Sequence, residues 1–202
     1  FNGQARRTAE EAGPGVEPGE PIDAEQAAKI LEIDVGELFT ASEIMDAEEF
    51  VQSDNPVVRS AYKRILMLNV GQKAILAMKG GREERIILVR DTNKLVALGV
   101  LKNARITEGE VEIIASMRNV SEEILRNVGL NREWSQNYAV GANLVRNPRT
   151  PPSLSTNFVA RLNNKDLKLL CADRNVPEII RRMAKRTFEL RTQKSAISFR
   201  KK

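Results

Sequence analysis

The chain contains no histidine. That absence excludes a Ser-His-Asp or Cys-His nucleophile system and every zinc site that needs an imidazole. The single cysteine, Cys171, permits neither an intrachain disulfide nor a cysteine cluster. Its setting in Leu169-Leu170-Cys171-Ala172 reads as a buried structural thiol. Aromatic residues make up only 4% of the chain, so the apolar volume must come from Leu, Ile, Val, Ala and Met. Such a mixture suits interdigitating helices better than strands. No run approaches the ~20 apolar residues of a membrane helix, and no secretory signal is visible. A cytoplasmic chain that does not insert into membranes is therefore expected. No Gly-Lys-Ser or Gly-Lys-Thr loop occurs, and Gly71-Gln72-Lys73 is not one. The carboxylate pairs Glu48-Glu49, Glu83-Glu84 and Glu122-Glu123 sit among polar residues and read as solvated helix faces. No catalytic residue, metal or cofactor is expected, and the chain reads as a binding module.

What is present is charge, unevenly divided. The net charge of the 202 residues is +5. Residues 1–60 hold four basic and 14 acidic side chains, a net of −10, and the remainder carries a net of +15. Arg181, Arg182, Lys185 and Arg186 lead the most basic stretch. One reading is that the two halves are solvated or pair with each other. The other is that the basic half faces RNA, DNA, a ribosomal surface or an acidic protein.

Residues 1–22, with Gly13-Pro14-Gly15 and Glu17-Pro18-Gly19-Glu20-Pro21, predict a disordered linker. Residues 23–68 read as an acidic helical arm. It opens with a helix capped by Asp23, followed by a short helix expected around 36–40 and another from Ser42. Pro56 suits a first helical position, ahead of a stripe of Val57, Ala61, Ile65 and Leu68. That stripe is expected to dock the arm on the first repeat helix. Residues 69–189 predict short helices over 70–79, 82–90, 93–102, 107–117, 121–129, 132–145, 151–161, 164–171 and 176–189, and 190–202 reads as a basic tail. Gly80-Gly81, the Thr107/Glu110 capping box, Thr150 ahead of Pro151, and Asn163 or Asn164 supply the stops and starts.

Internal repetition organises this region. Leu101-Lys102-Asn103-Ala104-Arg105-Ile106-Thr107 resembles Val145-Arg146-Asn147-Pro148-Arg149-Thr150-Pro151, with a shorter echo at Leu88-Val89-Arg90-Asp91. Arg118-Asn119-Val120 is echoed at Arg174-Asn175-Val176. Repetition near ~40–47 residues with paired helices is the pattern of a HEAT-like stack. The expected fold is all-α, a degenerate α-solenoid of short helices. Leu88-Val89-Arg90-Asp91-Thr92-Asn93-Lys94-Leu95-Val96-Ala97, the 101–107 block, Asn131-Arg132-Glu133-Trp134 and Asn147-Pro148-Arg149-Thr150-Pro151 resemble a family of uncharacterised helical-repeat proteins of delta-proteobacteria and related bacteria over residues ~69–186. The family usually has Pro where this chain has Ala104. The resemblance implies an α-repeat fold and no particular activity.

The expected function is a non-enzymatic protein-interaction scaffold, with nucleic-acid or ribosome binding as the alternative. Trp134 and Tyr138, four apart on the predicted 132–145 helix, would share a face and either pack in the core or form a recognition hot spot. Arg132, Arg146, Arg149, Arg181, Arg182, Lys185 and Arg186 complete the candidate partner-binding set.

Overall fold

The computed structural model describes residues 42–200, with side chains as far as Gln193. The predicted linker 1–22, the helix expected from Asp23 and the short helix expected around 36–40 lie outside the described residues. Within them the chain is all-α. The helices are α1 (Ala47–Val51), α2 (Pro56–Leu66), α3 (Val70–Lys79), α4 (Arg82–Leu88), α5 (Lys94–Leu101), α6 (Glu108–Ser116), α7 (Glu122–Leu130), α8 (Arg132–Gln136), α9 (Tyr138–Arg146), α10 (Pro152–Val159), α11 (Asn164–Ala172) and α12 (Glu178–Arg200). No strand occurs among the described residues, and Ile86–Leu88 is helical as the sequence indicates.

Side-chain caps explain why so many helices start where they do. Asn55, Asn69, Asn93, Thr107, Ser121, Asn131, Asn137 and Asn163 each accept a backbone N–H of the first turn. Asn69/Gln72 and Thr107/Glu110 close full capping boxes. The cap at Asn137 overturns the continuous 132–145 helix, because its extended backbone ends α8 and starts α9. Thr150 is not a cap either. Pro151 takes the N-cap position of α10, and the buried Thr150 hydroxyl has no partner among the described residues.

Helices pack on helices one to three places away in the chain: α3 on α5, α2 on α4, α6 on α9, α9 on α10, and α10 and α11 on α12. The α3–α5 contact needs Gly99, where a Cβ would meet the Ala77 Cβ at 3.2 Å and the Ala74 carbonyl at 3.3 Å. A single apolar core runs from Phe50 and Ile65 through Leu88, Leu95, Ile124 and Leu144 to Ile180 and Ala184. Each fully buried Leu or Ile contributes about 1.5–3 kcal/mol. From residues 42–66, Phe50, Ala61, Tyr62 and Ile65 join this core, with Ile44, Ala47 and Val58 packed against it. Of the arm stripe, Ala61 and Ile65 are buried with Tyr62 while Val57 is 58% exposed, and its helix α2 packs mainly on α4, not on α3, the first repeat helix.

The segment expected to begin a helix at Ser42 is instead an extended strap. The backbone of Met45 donates to the Arg90 carbonyl at 3.0 Å, and Thr92 donates to the Glu43 carbonyl at 2.8 Å. These bonds form an antiparallel bridge between Ile44 and Asp91. The chain turns into α1 at Asp46, whose φ of 53° lies in the left-handed region that Asp tolerates. Phe50 then stacks on Tyr62 at 5.8 Å, with the Arg90 guanidinium 4.6 Å over its ring.

One device recurs at the helix joints. Asn103 and Asn147 each accept the N–H two residues on, from Arg105 and Arg149, at 2.9 and 3.0 Å. Each also donates its side-chain amide to two carbonyls at the end of an earlier helix. Asn103 serves Ala77 and Gly80, and Asn147 serves Ala115 and Met117. The sequence match between 101–107 and 145–151 is thus a match of hydrogen bonding. Asp91 and Asp173 make the same turn to Asn93 and Asn175, but carry a carboxylate in place of the amide.

Candidate functional site

Several of the basic side chains counted in the positively charged half serve the frame. Helix C-termini leave carbonyls without intrahelical partners and carry partial negative charge, which suits a guanidinium. Arg161 donates to the Ser135 and Gln136 carbonyls at the end of α8, at 2.5 and 3.1 Å. Arg191 donates to the Ala160 and Leu162 carbonyls beyond α10, at 2.6 and 2.5 Å. Arg85 reaches the Gly80 carbonyl at 3.0 Å and clasps Glu110 with both carboxylate oxygens engaged. Both members of that pair are buried. Arg90, also buried, pairs with Glu49 at 2.6 Å.

The perturbed carboxylates belong to the same frame. Burial pushes the Asp91 carboxyl up, opposed by the Asn93 N–H, the Ser42 hydroxyl and Lys73. Lys73 donates to the Ser42 oxygen at 2.8 Å and lies 3.6 Å from Asp91. For Glu110, burial raises the carboxyl, but the Thr107 backbone and side chain and Arg85 outweigh it and hold it below the usual value. Asp166 is held low by the Tyr138 hydroxyl and Arg146.

The candidate partner-binding residues divide accordingly. Trp134 packs partly buried against the core, while Tyr138 is 44% exposed across the break at Asn137. The two do not form a shared helical face. Tyr138 donates instead to Asp166 and accepts from the Asn163 N–H at 3.1 Å, and Arg146 pairs with the other Asp166 oxygen. Burial and then the neighbouring Asp166 raise the Tyr138 hydroxyl. Arg149 donates to the Arg118 carbonyl at 3.3 Å and touches the Met45 sulfur at 3.8 Å, tying the strap to the α9–α10 joint. Arg132 is exposed on α8, away from these bonds.

Three of the α12 candidates come together at a groove. Arg181, Arg182 and Lys185 line a shallow groove of about 300 Å³ with Glu178 and Cys171. Arg182 pairs loosely with Glu178 at 3.7 Å, both largely exposed. The Nε of Arg181 is buried without a hydrogen-bond partner among the described residues. Arg186 is exposed on the same helix. Cys171 is half-buried at this groove, packed against the edge of the core and not enclosed in it as its apolar neighbours suggest; Leu167 and Leu170 carry the buried face of α11. The helix itself runs on to Arg200, past the boundary drawn at residue 189.

Sequence reasoning missed the roles of Arg85, Arg161 and Arg191. No local signal marks them, since their partners lie 25 to 31 residues away, apart from the Arg85–Gly80 contact. Among the described residues no helix is long and apolar enough to cross a membrane, and no group of three or more Cys, Asp or Glu could hold a metal ion. No family model, no curated protein and no solved structure matches the chain.

Proposed function

We propose that this chain is a non-enzymatic protein-interaction scaffold, a degenerate HEAT-like stack of short helices akin to the uncharacterised bacterial repeat family it resembles. The observation that carries this reading is the repeated joint. Asn103 and Asn147 hold successive helix ends in the same way, as stacked repeats require. The Arg85, Arg146, Arg161 and Arg191 guanidinia stiffen that frame, which leaves surface, not interior chemistry, as the working part. Rigid stacks of this kind act by presenting side chains to a partner.

A second reading has its own support. Lys168, Arg174, Lys185 and Arg186 are exposed on or beside α11 and α12 without an ion-pair partner among the described residues, so a polyanion could lie there. A salt series separates the two. The full chain is titrated with single-stranded RNA between about 50 and 200 mM salt. The scaffold reading expects affinity in the non-specific range of ~10⁻⁴–10⁻⁶ M at physiological salt. A tighter affinity whose steep salt slope flattens when Arg181, Arg182, Lys185 and Arg186 become Gln would replace it with the polyanion reading.

A further inference from the structure

We propose that the joint between α11 and α12 binds an extended acidic peptide segment of a protein partner, in the way the Asp91 joint holds the chain's own strap. The inference rests on the scaffold reading and gives its partner a chemistry.

The Asp91 and Asp173 joints share two hydrogen bonds, although the chain turns at 174–175 where it bends at 92–93. Asp91 closes α4 by donating its N–H to the Leu88 carbonyl at 3.1 Å, and Asp173 closes α11 by donating to the Leu170 carbonyl at 3.3 Å. One carboxylate oxygen of each accepts the N–H two residues on, at 2.8 and 2.9 Å. At Asp91 four further groups are occupied by the strap. One of them, the Thr92 hydroxyl, accepts the Glu43 N–H at 3.0 Å and has no counterpart at Arg174. The preceding carbonyl (Arg90) accepts from Met45, the following N–H (Thr92) donates to Glu43, and the second carboxylate oxygen accepts from the Ser42 hydroxyl at 2.8 Å. The groups corresponding to these last three at the second joint are the Ala172 carbonyl, the Arg174 N–H and the Asp173 Oδ2. None of the three has a partner among the described residues, and Ala172 and Arg174 are exposed.

The other two joints lack this combination. Asn147 is followed by Pro148, which has no N–H, and the Asn103 amide is committed to Ala77 and Gly80, leaving no carboxylate oxygen. The Asp173 edge therefore fits an antiparallel peptide backbone with a hydroxyl or amide donor for Oδ2. Beside it lies the groove of Cys171, Glu178, Arg181, Arg182 and Lys185, where three cations against one carboxylate leave a positive balance that favours carboxylates on that peptide. A nucleic acid has phosphates for the groove but no backbone amide-and-carbonyl pair for the edge.

The test uses the full chain and a fluorescein-labelled peptide of the chain's own residues 42–50, Ser-Glu-Ile-Met-Asp-Ala-Glu-Glu-Phe. Binding is followed by anisotropy and located by amide chemical shifts. Saturable binding with shifts at Arg174 is expected. Asp173→Asn keeps the turn acceptor but removes the second carboxylate oxygen, and should weaken binding about tenfold, as should Arg181→Gln with Lys185→Gln. Arg174→Pro should abolish it without unfolding the chain. Asp173 has φ −77° and ψ 112°, close to the −78° and 118° of Asn147, which already precedes a proline. Three outcomes overturn the proposal: no saturable binding, shifts confined to Arg90–Thr92, or a single-stranded oligonucleotide that saturates the groove where the peptide does not. If the peptide fails while a protein still co-purifies with the chain, this proposal falls and the scaffold reading stands.

Discussion

Replacing Glu110 with Gln is expected to lower the unfolding free energy by about 3–5 kcal/mol, because it strands the buried Arg85 guanidinium. Glu110 makes two sets of bonds at once. It accepts from Arg85 at 2.8 and 3.0 Å, and from the Thr107 N–H and hydroxyl at 2.9 and 3.0 Å. The substitution therefore damages both the α4–α6 tie and the N-cap of α6. For a chain of this size the melting temperature should fall by about 10 °C or more. Converting both partners to apolar residues, Arg85→Met with Glu110→Leu, should cost less than Glu110→Gln alone, since no charge is left unpaired. The effect has a defined pH dependence. The folded-state carboxyl is held below its ordinary value of 4.5, so its stabilisation is fully present above that value. It is lost as pH falls through the lowered folded-state value. The gap in unfolding free energy between Glu110→Gln and the unmodified chain should close in acid. A gap that stays constant to pH 3 would mean the pair carries no such stability.

Asn147→Ala is expected to be the second most damaging change, at about 3 kcal/mol, from two carbonyls left without their donor at ~1–3 kcal/mol each. The side chain is 4% exposed and donates to Ala115 at 2.9 Å and to Met117 at 2.7 Å. Asn103→Ala should cost less, because the Gly80 carbonyl keeps its bond from Arg85. The two joints share no partner, so the double variant should show the sum of the single losses. Denaturant midpoints measure all three. If Asn147→Ala costs below 1 kcal/mol, the repeated joint is not a structural device, and the repeat reading loses its main support.

Much of the helix pattern was legible because its signals are local. The α3 span of 70–79 follows from an apolar stripe closed by Gly80-Gly81, and α6 follows from Thr107 and Glu110 three residues apart. The errors also have a local cause. The break at Asn137 hides inside a run whose spacing suits one helix, and Asn is an ordinary residue on a helix surface. The strap at Ser42–Met45 has no strand pattern of its own, since its hydrogen bonds go to Arg90 and Thr92, over 40 residues away. Charge was the least legible property. The sequence counts Arg85, Arg161 and Arg191 as part of a basic half. Each instead lies against a helix end or a buried carboxylate, which only the packing of distant helices reveals. The candidate site shrank for the same reason, from nine residues spread over 132–186 to the groove at Arg181, Arg182 and Lys185.

The most direct test of the scaffold reading is native mass spectrometry of the full chain isolated from its own cells, run with and without nuclease. A complex of this chain with one other protein at a fixed ratio, stable at about 200 mM salt, is expected. The chain alone, or a species whose added mass disappears on nuclease treatment, would contradict it.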